Sequence, residues 1–78
     1  MLHIRMVTQY GLAEAFAHES PDTVAGVLEG DSEWIRFNGV KVNEQGEETG
    51  PQLFGVRRVE VISYVVHDYI PPQTQAQV

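Results

Sequence analysis

The stretch Trp34–Val42, WIRFNGVKV, places apolar residues on alternate positions and then changes phase. Ile35 and Phe37 fall on odd numbers, Val40 and Val42 on even ones. Period-two alternation is a strand signature, and a phase change within it admits two devices. One is a bulge in a single bent strand. The other is a two-residue hairpin turn, for which Asn38-Gly39 supplies the positive φ angles of a type I′ turn. The hairpin sets Phe37 opposite Val40 and Ile35 opposite Val42, so four apolar side chains share a face. It also opposes Arg36 to Lys41 and Glu33 to Glu44, at a few tenths of a kcal/mol each. Burial of an apolar side chain contributes roughly 1.5–3 kcal/mol. The hairpin is therefore the expected device.

The flanking segments extend the pattern. Thr23–Leu28 is rich in β-branched residues and Glu29–Ser32 has turn chemistry. A three-strand meander is expected, with Val24, Leu28, Ile35, Phe37, Val40 and Val42 on one face and Gly26 at a bend. Leu2–Thr8 reads as a strand with Leu2, Ile4 and Met6 on one side. The segment GLAEAFAHE, Gly11–Glu19, has good helix formers and Leu12, Ala15 and Phe16 at helical spacing. It is expected to be a short helix ended by Ser20-Pro21-Asp22. Glu44–Pro51 reads as a polar, flexible loop. Leu53–Ile70 reads as a long strand bent near Gly55, and apolar residues on both of its faces point to a central position.

These elements predict one domain over residues 1–70, α+β or mainly β. The expected fold is a small, curled antiparallel sheet with one short helix near the N-terminus, a small SH3-like or Sm-like barrel by analogy. Residues 71–78 lack core formers and are expected to be a disordered tail. The chain has 78 residues and no cysteine, which excludes disulfides and thiolate metal sites. A core this small rarely supplies more than about 3–5 kcal/mol, so self-association into a homo-oligomer is expected. No apolar run approaches the roughly 20 residues of a membrane span, and a cytoplasmic protein is expected.

The charge balance narrows the partner. The net charge is −6 with five basic residues, Arg5, Arg36, Lys41, Arg57 and Arg58. Nucleic-acid binders draw affinity from neutralised phosphates, so general nucleic-acid binding and anionic membranes are disfavoured. No phosphate loop, dinucleotide fingerprint or nucleophile elbow is present. Ser20, Ser32 and Ser63 have turn or strand roles, and His3, His18 and His67 lack paired-ligand spacing. Neither enzymatic activity nor a cofactor or metal is expected. The carboxylates Asp22, Glu29, Asp31, Glu33, Glu44, Glu47 and Glu48 read as solubilising surface. Their alternative role is nucleic-acid mimicry, of the kind viruses and mobile elements use.

The expected hairpin turns Trp34, Arg36, Lys41 and Asn43 outward; Arg57-Arg58 can join them or pair with the acidic loop Glu44–Glu48, and Arg58 is counted with the first four. Trp and Arg are enriched at binding hot spots. Those five residues are the candidate partner site, against the alternative that Trp34 packs with Phe16 under the helix. The expected function is a non-enzymatic protein-binding module, or a small inhibitor or adaptor. The alternative is a small barrel holding single-stranded nucleic acid on Trp34, Arg36, Lys41 and Arg58.

Overall fold

The computed structural model describes residues 1–71; the expected tail, apart from Pro71, lies outside them. The described residues form five strands and one α-helix: β1 (Leu2–Thr8), β2 (Gly11–Ala17), α1 (Pro21–Leu28), β3 (Trp34–Val42), β4 (Glu48–Arg57) and β5 (Val61–Asp68). A 3-10 turn, Arg58–Glu60, joins β4 to β5. The strands make one antiparallel sheet in the order β4-β3-β2-β1-β5, so β4 and β5 are its edges and the sheet does not close. The three-residue turn nevertheless links those edges, which requires the sheet to curl. Arg58 N–H donates to the Glu33 carbonyl at 2.8 Å, and Gln9 N–H to that of Glu60 at 3.0 Å.

The inner face of the curl holds the core. Leu2, Ile4 and Met6 of β1, Ala15 and Ala17 of β2, and Ile35 and Phe37 of β3 are buried there with Val24 and Leu28 of α1. Leu2, Ile4 and Met6 take the face expected of them. The helix does not. Gly11–Ala17 is a strand, paired with β1 residue by residue from Leu2↔Ala17 to Thr8↔Gly11. The seven-residue segment has an equally good period of two. Ala15 and Ala17 face the core with Ala13 packed against it, and Leu12, Glu14 and Phe16 alternate outward. Long-range pairing overrides weak intrinsic helix preference.

The α-helix occupies the place expected of a strand. Ser20, taken as the end of a helix, begins one: its Oγ accepts from Thr23 N–H at 3.2 Å, and Pro21 follows in the first turn. Pro immediately inside a Ser N-cap is a helix start signal. Val24 and Leu28, four apart, both reach the core.

Asn38-Gly39 is neither a turn nor a bulge. β3 runs straight through it, with unbroken pairing to β4 from Trp34↔Arg57 to Lys41↔Gly50. Gly39 does not have positive φ. Its Cβ-less backbone instead lies against β2, where Phe16 pairs with Val40. The phase change marks the place where β3 leaves the inner core and rests its other face beside Phe16, with Val40 and Val42 half-buried.

The actual turn lies in the expected loop. Asn43 Oδ1 accepts from Gln45 N–H at 3.0 Å and Glu47 N–H at 2.9 Å, and Gly46 has φ 84°. Pairing resumes at Glu48, so β4 begins within the supposed loop. The long C-terminal strand is two strands interrupted by the 3-10 turn, and β5 is an edge rather than a central strand.

Candidate interaction surface

Alternation along β3 buries Ile35 and Phe37 and turns Trp34, Arg36 and Asn38 outward. Their cross-strand partners on β4 are Arg57, Gly55 and Leu53. The Arg36 stem lies beside Gly55, where an added Cβ would stand 3.8 Å from Arg36 Cγ, an ordinary contact. Arg36 crosses toward Trp34, and its guanidinium carbon sits 5.7 Å from the ring centroid, within cation–π range. Trp34 is 41% exposed and Leu53 76% exposed. Arg57 makes a 3.4 Å ion pair with Glu33 in the open. Among the described residues, no carboxylate lies within ion-pair distance of Arg36. Outer β3 and β4 thus carry Trp34, Arg36, Leu53 and Arg57.

The other expected site residues go elsewhere. Trp34 does not pack with Phe16, which stacks on His3 with centroids 4.6 Å apart. Lys41 belongs to the opposite face of β3 and is exposed beyond the core. Asn43 is committed to the β3–β4 turn. Arg58 is a structural pin. Its Nη1 donates to Leu28 O at 2.7 Å, Nη2 to Val27 O at 2.9 Å and Nε to Ser32 O at 2.6 Å. A cation holding the last carbonyls of a helix satisfies groups that have no partner within it. Leu53 carries no signal for this face in the sequence, and Arg57 shares with Arg58 only the general prospect of joining the patch; their places opposite Asn38 and Trp34 follow from the pairing of β3 with β4.

The histidines divide. His3 meets His67 edge-on at 4.8 Å and Tyr69 at 5.9 Å, and its Nε2 lies 3.2 Å from Glu14 Oε2. His18 pairs with Glu48 at the start of β4. Among the described residues, no group of three or more His, Asp or Glu side chains could hold a metal ion. A shallow groove of about 260 Å³ runs over Arg5, Val7, Leu12 and Val65. A recess of about 270 Å³ lies between Leu28, Arg58 and Ile62. Both fall below the roughly 300–1,000 Å³ of small-molecule sites. No described helix is long and apolar enough to cross a membrane. No family model, curated protein or solved structure matches the chain.

Proposed function

We propose that the chain is a non-enzymatic protein-binding module, an adaptor or small inhibitor, that contacts its partner through the outer face of β3 and β4. The observation that carries this reading is the Trp34–Arg36 pair. A tryptophan stacked by an arginine stands in solvent, on the face turned away from the core. Rigid aromatic area beside a directional cation is the composition of an interface hot spot. With Leu53 and Arg57 it suits a protein segment that presents carboxylates around an apolar side chain. The strand order and the 3-10 turn between β4 and β5 support likening the curled sheet to small SH3-like or Sm-like barrels. That likeness concerns fold and adds nothing to function.

The second reading, single-stranded nucleic acid stacked on Trp34, draws on the same pair and is opposed by the net charge of −6. Trp34 is the chain's one tryptophan, so its fluorescence reports on this face alone. The test combines two measurements. Affinity capture with the wild type and with Arg36→Glu, compared by quantitative mass spectrometry, should yield a protein retained by the first and lost by the second. Titration with mixed single-stranded oligonucleotides should leave the fluorescence unchanged. A salt-sensitive response to oligonucleotide would transfer the face to the nucleic-acid reading.

A further inference from the structure

Among the described residues, β4 and β5 each lack a neighbour on one side; these two edges are built differently, and the difference points to what covers one of them. Tyr69 N–H donates to Met1 O, so the odd residues of β5 exchange hydrogen bonds with β1. In an antiparallel ladder these pairs alternate with pairs whose backbone groups face away. Tyr64, Val66 and Asp68 therefore direct N–H and C=O to the open edge. On β4, the bond from Arg58 N–H to Glu33 O sets the same alternation, and the outward residues are Pro51, Leu53, Gly55 and Arg57. Pro51 has no N–H to offer and Arg57 adds charge, both of which blunt an edge.

β5 has neither guard. Val61–Val66 contains no charge and no proline. Ile62, Tyr64 and Val65 are 70%, 43% and 60% exposed. A register shift at the Val7–Thr8 step leaves Ile62 as an extra residue in β5, which ends the regular edge at Ser63. An uncharged, apolar strand edge of this kind is a template for another strand.

We propose that this edge is occupied by β5 of a second copy, antiparallel, about a two-fold axis at Val65. An isologous contact requires one patch to match itself, and antiparallel pairing of an edge with its own copy always sets outward residues against outward residues. An axis at Val65 centres that pairing on the uncharged stretch between the bulge at Ile62 and Asp68: Tyr64 pairs with Val66 of the partner copy, Val66 with its Tyr64, and Ser63 with its His67. The two Val65 side chains meet on the outer face in a pair without hydrogen bonds. Chains of net charge −6 repel, so their contact belongs where carboxylates are absent, and Asp68 falls at the end of the paired segment. A strip of five residues per strand falls short of the ~800 Å² per partner of a standard interface, so the dimer belongs to the weak, reversible class. The result is a continuous ten-stranded sheet with a Trp34 surface toward each end. This inference does not depend on what the Trp34 face binds.

The chain has no cysteine, so a single introduced thiol reports on the axis. Residues facing each other in such a pair have Cα atoms about 4.5 Å apart, within the roughly 4.4–6.8 Å a disulfide spans. Val65→Cys, mildly oxidised as the full chain, should convert mostly to a disulfide-linked dimer. Leu53→Cys, on the opposite edge and more exposed (76% against 60%), should remain mostly monomeric. Sedimentation of the wild type should show reversible doubling of the 8.7 kDa mass with rising concentration. Tyr64→Pro, which mimics the outward position of Pro51, should abolish the doubling. A wild type that stays monomeric through the micromolar range, equal cross-linking of the two cysteine variants, or a folded Tyr64→Pro that still dimerises would each overturn the proposal. Should Tyr64→Pro fail to fold, the cysteine comparison decides.

Discussion

At Gly39 the β3 backbone passes so close to β2 that an added Cβ would stand 2.5 Å from the Phe16 carbonyl oxygen. Backbone cannot yield as a side-chain tip can, so Gly39→Ala is expected to destabilise by about 1–3 kcal/mol. An unchanged denaturation midpoint would show that β2 and β3 part freely there. The sequence singles out this glycine correctly but for the wrong reason. A turn needs its φ, whereas a close strand crossing needs its missing side chain, and only the fold distinguishes them. The role of Arg58 differs in a similar way from the surface patch or acidic-loop pairing expected of it, because its partners Val27, Leu28 and Ser32 are some thirty residues distant. Alternation places Trp34 on the side of β3 away from Ile35 and Phe37, but whether Phe16 covers it there was not legible, because that depends on Gly11–Ala17 being a strand. Replacing it with alanine should cost well under the 3–5 kcal/mol of a buried aromatic, measured by urea unfolding. A loss in that range would put Trp34 in the core and remove the proposed contact face.

Between residue and molecule, the two reversed elements explain each other. Gly11–Ala17 has helix-forming composition yet becomes a strand, since a two-residue turn at Gln9-Tyr10 returns it along β1 with every residue paired. Thr23–Leu28 has strand-forming residues yet becomes a helix, through the Ser20 cap and the Val24–Leu28 spacing. Local propensity was legible in both, and tertiary pairing and capping outweighed it. Ser20→Ala should therefore cost about 1 kcal/mol, the usual value of an N-cap side chain. Gly26 sits inside α1 with nothing within 4 Å of an added Cβ. Gly26→Ala should stabilise by about 0.5–1 kcal/mol, because alanine loses less backbone freedom on entering a helix. A destabilised Gly26→Ala would be the result expected if Gly26 instead lay at a strand bend.

Across the whole molecule, strand content and the identity of β1 were legible, but strand order was not. Apolar residues on both faces of the C-terminal segment suggested a central strand, and the same pattern describes an edge awaiting a neighbour. Amide hydrogen exchange separates these directly. β1 lies between β2 and β5, so all its amides are hydrogen-bonded, and those of the fully buried Ile4 and Met6 should exchange slowest. In dilute solution the edges should alternate. Ser63, Val65 and His67 are held by β1 and Gln52, Phe54 and Val56 by β3, so all six should be protected. Tyr64 and Val66, and Leu53, Gly55 and Arg57, face outward and should exchange fast. Raising the concentration should then slow Tyr64 and Val66 and leave Leu53, Gly55 and Arg57 unchanged, because pairing covers one edge and the other is guarded by Pro51. Uniform protection along β5 in dilute solution would mean that the strand is central after all. Concentration-dependent protection on β4 would move the second copy to the wrong edge.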